Sequence, residues 1–188
     1  MRLYRHDRAA LTRVTRLATA ASTNALVLHP PERTAGFADA AALSAAYQSH
    51  TLVPLPTNVA ALGLGVEPTL GAGSGAPRAL YRGLRPGALR LLIAIAGRVR
   101  ILSGGAGPLE VAGTVTDQAY ASRAGLGYPG SSTGWGLRLS RHYVSPAQAG
   151  ALQSVLDRLQ SLNLTAWTRD GTVLDLIVAG DAAAWLRR

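Results

Sequence analysis

The chain has 188 residues, 48% of them hydrophobic and 15% charged, which suits a folded domain with a sizeable core and excludes a disordered or collagen-like chain. It has no cysteine, so disulfides and thiolate metal sites are excluded, and aromatics are only 5%, so Ala, Leu and Val must do most of the packing. The net charge is +9 and every basic side chain is arginine, a composition that fits either an anionic partner or wholesale replacement of Lys by Arg.

The N-terminal stretch begins basic, as a signal peptide does, but its apolar region is diluted by Thr, Ser and Asn and interrupted by arginine. Leu11, Val14 and Leu17 recur at helical spacing among Arg2, Arg5, Arg8, Arg13 and Arg16, so residues 1–25 read as a basic amphipathic helix or arm. Pro30 and Pro31 break it, and residues 26–188 read as one domain. No apolar run approaches the roughly 20 residues that span a bilayer.

"FADAAALSAAYQSH" reads as a short Ala-rich helix, and residues 51–77, rich in Pro and Gly, as a long irregular excursion. "LRPGALRLLIAIAGRVRILSG" is a helix with Pro86 in its first turn and Gly104 near its end. "PLEVAGTVT" alternates as a strand, "DQAYASRAG" is a short helix capped by Asp117, and "GWGLRLS" alternates again. In "SPAQAGALQSVLDRLQSLN", Ser145 is the N-cap, Pro146 opens the helix and Gln148 completes a capping box. Its apolar stripe is Leu152, Val155, Leu156, Leu159 and Leu162. "LTAWTRDGTVLDLIVAG" is a hairpin with Asp170-Gly171 at its turn, followed by a short helix, "DAAAWLRR". The order of elements predicts an α+β fold, a small, largely antiparallel sheet with flanking helices.

Few residues advertise chemistry. His6, His29, His50 and His142 are scattered, with no HxxxH or HxH pair, and no zinc set is expected from them. "GVEPTLGAGSGAP" lacks the Lys-Ser or Lys-Thr of a phosphate loop, and Ser103, Ser131 and Ser132 sit in no GxSxG elbow. Arg78, Arg82, Arg85, Arg90, Arg98 and Arg100 fall within 23 residues free of acids. The first three, at helical intervals, form either an anion-binding ridge or a solvated surface whose stems cover apolar neighbours.

From about Leu26 to Val178 the chain resembles the zinc D-alanyl-D-alanine carboxypeptidases and endopeptidases of the LAS group, with their hedgehog-like fold. "SPAQAGALQSVLDRLQSLN" and "LTAWTRDGTVLD" carry the resemblance, together with the strand in "YPGSSTGWGLRLSRHY". It implies a metal site whose first histidine stands three residues before Gly134, where this chain has Ser131. The family's aspartate falls at Arg138 and its second histidine at Asp175. The acid three residues before that histidine corresponds to Thr172, and a substrate-binding Ser-x-x-Arg segment aligns with Gly113 and Thr116.

The resemblance thus keeps the scaffold while replacing the reaction's residues, and implies no metal and no cofactor. Arg138 would repel a divalent cation. Two arrangements stay open: Arg138 pairs with Asp175 across the sheet, or Arg138 turns to solvent and Asp175 caps a turn or meets water. The expected cleft is lined by Ser131, Thr133, Trp135, Arg138, Thr116 and Asp175, with Thr116, Thr133 and Trp135 as its ligand-binding candidates. The leading functional expectation is a non-catalytic binding or structural module related to bacterial peptidoglycan hydrolases, its ligand a cell-wall peptide or glycan. Two others stand beside it: a still-active peptidoglycan peptidase with a rearranged site, and a binder of nucleic acid or another anionic polymer through Arg78, Arg82 and Arg85. The resemblance points to the cell envelope, whereas the absence of a clear signal peptide leaves the cytoplasm open.

Overall fold

In the computed structural model, residues 35–128, 130–162 and 164–180 are described. The basic arm at 1–25, His6, His29 and the final helix expected at 181–188 lie outside them. Helix α1 (Ala40–Gln48) starts where the Asp39 carboxylate accepts the Ala42 amide, and it ends with His50 in the left-handed region at φ 56°. The excursion that follows holds strands β1 (Val53–Pro54) and β2 (Leu64–Val66), then a 3₁₀ turn at Arg78–Tyr81, and it ends at strand β3 (Gly83–Leu84). Pro86 opens helix α2 (Pro86–Leu102), where its missing amide would lack a partner in any case.

Strand β4 (Leu109–Gly113) leads to helix α3 (Gln118–Ala124), capped by Asp117 and ended by Gly125 at φ 63°. Strand β5 (Gly136–Ser140), helix α4 (Pro146–Ser161) and the hairpin β6 (Thr165–Asp170) and β7 (Val173–Val178) complete the described chain. No helix among the described residues is long and apolar enough to cross a membrane.

The main sheet has the order β2-β4-β5-β7-β6. Every neighbouring pair is antiparallel except β2 with β4, which the long crossover through α2 makes parallel. The sheet is therefore mixed and mostly antiparallel, and β1 and β3 form a separate two-stranded ribbon. Alternation in β5 sorts its side chains between the faces. Leu137 and Leu139 stand opposite Leu176 and Leu174, and all four join the core built by Leu91, Leu92 and Ile95 of α2 and Leu152, Leu156 and Leu159 of α4. Arg138, between the two leucines, is left on the opposite face with Asp175. A second, smaller core of Leu43, Leu52, Tyr81, Val115 and Tyr120 forms beside α1.

Two local expectations are corrected. The hairpin's closing pair is Asp170 with Val173, so the two-residue loop is Gly171-Thr172, one residue later than Asp170-Gly171. Gly171, at φ 53°, takes the left-handed first position of that loop. Arg141 clamps the tip, its amide donating to the Thr172 carbonyl at 2.8 Å and its guanidinium to the Gly171 carbonyl at 2.5 Å.

Ser145 does cap α4, but Gln148 reaches past it. Its Oε1 accepts the Val144 amide at 2.9 Å, and its Nε2 donates to the carbonyls of Gly107 and Pro108 at 2.6 and 3.1 Å. Only 1% exposed, Gln148 ties the start of α4 to the segment leading into β4. Without it, the Val144 amide and the carbonyls of Gly107 and Pro108 would lose that shared partner.

Leu156 is 1% exposed between α4 and the sheet, and Leu156→Ala is expected to cost about 2–5 kcal/mol of unfolding free energy. Chemical denaturation measures it, and a loss below about 0.5 kcal/mol would place the stripe against water.

Candidate functional site on the open face of the sheet

The face away from α2 and α4 is organised around Arg138. Its Nε donates to Asp175 Oδ1 at 2.6 Å and its Nη2 to Asp175 Oδ2 at 3.1 Å, a parallel two-bond contact between directly paired residues of β5 and β7. Nη2 also lies 3.5 Å from Asp170 Oδ2 at the hairpin tip. The Arg138 side chain is 17% exposed and that of Asp175 8%, so the pair is largely withdrawn from solvent. Burial alone would lower the Arg138 pKa, but the hydrogen bond and charge of Asp175 outweigh it and raise it above its ordinary value.

Above the guanidinium lies the ring of Tyr128, its centroid 4.6 Å away, a cation–π contact. This stack crosses β4 at Gly113, the residue opposite Arg138, where a Cβ would come within 2.8 Å of the Arg138 Cβ and 3.0 Å of the Tyr128 hydroxyl. Glycine is required there for the close approach. The Tyr128 hydroxyl donates to the Thr114 carbonyl, and the Thr114 hydroxyl donates in turn to the Tyr81 carbonyl.

The Tyr81 hydroxyl donates to Asp117 Oδ2 at 2.7 Å, while Asp117 Oδ1 caps α3 by accepting the Tyr120 amide at 2.7 Å. Burial, then Asp117, pushes the Tyr81 hydroxyl up to about 12. Burial also drives that of Tyr128 far above its ordinary range, against the pull of the Arg138 charge. Both phenols therefore stay protonated donors at neutral pH.

Arg138, Tyr128, Thr114, Thr116, Tyr81 and Tyr120 are among the residues lining a cavity of about 370 Å³, with Glu67 also on its wall. Thr116 is 7% exposed and its hydroxyl is buried with no hydrogen-bond partner among the described residues. The Thr116 amide donates to the Ser131 carbonyl at 3.1 Å, so two of the expected positions are adjacent through the backbone. Ser131 is buried, 4% exposed.

Of the expected cleft, Arg138 and Thr116 line this cavity, whereas Ser131, Thr133, Trp135 and Asp175 do not. The Thr133 hydroxyl donates to the Gly130 carbonyl at 2.9 Å, and its own carbonyl accepts Arg85 Nε at 2.7 Å. Trp135 packs partly buried against the main core, with the Arg85 guanidinium 5.6 Å from its ring and 5.9 Å from that of Phe37. Thr133 and Trp135 thus hold Arg85, and neither lines the cavity beside Arg138.

The helical spacing read for Arg78, Arg82 and Arg85 is not realised, because the 3₁₀ turn ends at Tyr81 and β3 intervenes. Arg78 donates to the Pro68 carbonyl at 3.3 Å, Arg85 occupies the N-cap of α2, and Arg82 Nε is buried without a partner among the described residues. Burial lowers the Arg85 pKa.

No three His, Cys, Asp or Glu among the described residues come together as a metal-binding group. Tyr81, Tyr120, Tyr128 and Glu67 were not among the sequence candidates, and Asp117 was visible only as a cap. Tyr128 carried one available signal, its place in the stretch that leads into β5. Neither family models, curated proteins nor solved structures match the chain.

Asp175→Asn is expected to destabilise the fold by about 2–4 kcal/mol. That is the lower side of what breaking a buried pair costs, because part of the Arg138 side chain still meets solvent. Denaturant unfolding at low and high salt measures it, and a loss below about 0.5 kcal/mol would mean that the pair contributes nothing to folding.

Proposed function

We propose that this chain is a non-catalytic binding domain on a peptidase-like α+β scaffold, with its ligand a peptide or glycan of the bacterial cell wall. By the sequence resemblance Arg138 and Asp175 correspond to two metal-ligand positions of zinc peptidases, and the observation that supports the reading is that they satisfy each other with two hydrogen bonds. A hydrolytic zinc needs three protein ligands around an open position for water. The set here is a buried serine, an arginine and a carboxylate already engaged by that arginine. The guanidinium supplies a fixed positive charge between the strands, and the cavity beside it offers a concave surface in the size range of small-ligand sites.

The chemistry left to such a face is recognition. The Arg138 fork is held from two sides by Asp175 and Tyr128, so the floor of the cavity is rigid before a ligand arrives. Thr116 lies on the cavity wall, and Ser131, which does not line the cavity, meets it through the Thr116 amide.

The expected outcome for purified protein is less than a tenth of an equivalent of zinc by elemental analysis and no cleavage of a muropeptide ending in D-Ala-D-Ala. Co-sedimentation with insoluble peptidoglycan is expected to retain it. One equivalent of zinc, lost together with peptidase activity on chelation, would replace this reading with an active enzyme. Failure to sediment would remove the cell-wall ligand.

A further inference from the structure

We propose that the Arg85 guanidinium binds a monoanionic carboxylate, at a site apart from the cavity beside Arg138. The inference goes beyond the cell-wall reading and does not depend on it.

Arg85 is held from one side. Its amide donates to the Gly134 carbonyl at 3.0 Å and its Nε to the Thr133 carbonyl at 2.7 Å. The Trp135 and Phe37 rings lie 5.6 and 5.9 Å from the guanidinium. Gly134, at φ 75°, lets the backbone pass close beneath the side chain: a Cβ there would stand 3.4 Å from Arg85 Cγ and 2.7 Å from Leu52 Cδ2. A guanidinium fixed at Nε and flanked by two rings keeps the edge formed by Nη1 and Nη2 as a fork set before a ligand arrives.

That fork is unused. Neither Nη atom has a hydrogen bond or ion pair among the described residues. The buried side-chain nitrogens left without a partner there are Arg82 Nε and Trp167 Nε1. The unpaired Nη atoms of Arg85 are therefore not enclosed, and a ligand can reach them.

The charge also lacks a counter-ion. Arg138 shows what the fold does elsewhere with a partly buried arginine: Asp175 takes two of its hydrogen bonds and outweighs the effect of burial. At Arg85 no carboxylate stands within ion-pair distance among the described residues, and burial lowers the pKa. Arg85 is moreover the N-cap of α2, a helix of 17 residues with no acid in its first turn. The helix dipole disfavours a cation at that end. Burial, dipole and the missing carboxylate all favour an anion on the fork.

Charge matching selects the anion. Among the described residues no second cation lies over the Trp135 or Phe37 ring, so the site offers one positive charge. A carboxylate carries one negative charge and meets a guanidinium fork through two parallel bonds. A phosphate group close to doubly charged at neutral pH would keep part of its charge uncompensated. The two rings give the carbon skeleton behind the carboxylate an apolar surface.

The test titrates the full chain with sodium propionate, sodium phosphate and n-propylammonium chloride at constant ionic strength, followed by the Trp135 indole resonance. Saturable propionate binding is expected, with phosphate and the amine at least about tenfold weaker. Arg85→Lys, which keeps the charge and removes the fork, should weaken propionate about tenfold, the scale of one hydrogen bond to a charged group. Arg90→Gln removes an exposed positive charge from the same helix and should leave the affinity unchanged. Equal binding of phosphate or of the amine would overturn the assignment, and the unaltered chain alone decides that arm if Arg85→Lys does not fold. Unchanged affinity in Arg85→Lys would overturn it too. So would an equal loss in Arg90→Gln, which would trace binding to the net charge and not to the fork.

Discussion

The contact on which the open face depends is the two-bond pair of Arg138 and Asp175. Both side chains are placed by strand alternation on the face turned away from α2 and α4, and direct pairing of β5 with β7 sets them opposite each other. Two leucines flank Arg138 in sequence and are fully buried on the other face, so a one-residue slip would put the guanidinium into the core. The register that packs the leucines also brings the charges together. Neither charge is well placed without the other, because each is mostly withdrawn from water.

From that pair a chain of contacts runs to the second core. The Tyr128 ring covers the guanidinium, its hydroxyl holds the Thr114 carbonyl, the Thr114 hydroxyl holds the Tyr81 carbonyl, and the Tyr81 hydroxyl reaches Asp117. Asp117 caps α3 through the Tyr120 amide, and the Tyr120 hydroxyl reaches the Ala72 carbonyl in the long excursion. Tyr81 and Tyr120 also pack edge to face, with centroids 5.0 Å apart. An excursion with little regular structure is thus fastened to the sheet by buried hydrogen bonds. The same bonds hold Tyr81, Tyr120 and Tyr128, which line the cavity, so fold and candidate site share one network.

Much of the framework was legible in the chain because local signals agreed with tertiary packing. Ser145 and Pro146 start α4, Asp117 starts α3, and the alternation of β5 separates Arg138 from its leucine neighbours. The parallel β2–β4 pairing was not legible, since β2 is three residues long and contains a glycine. The hairpin loop fell one residue later than the Asp-Gly signal, because Asp170 still pairs with Val173.

The site was only half visible. Arg138 and Asp175 stood out through the resemblance, and pairing across the sheet was one of two arrangements open to them. The tyrosines and Glu67 come from separate segments that meet only in the folded chain, and no spacing rule joins positions 67, 81, 120 and 128. Thr133 and Trp135 were adjacent in sequence to the right strand, yet the 3₁₀ turn before β5 takes them to Arg85.

Arg138 and Asp175 stabilise this face through each other and not as independent side chains. A double-mutant cycle on unfolding free energy, using Arg138→Ala, Asp175→Ala and the double variant, measures that coupling directly. A coupling above about 1 kcal/mol is expected, more than exposed pairs ordinarily give. A coupling indistinguishable from zero would contradict it.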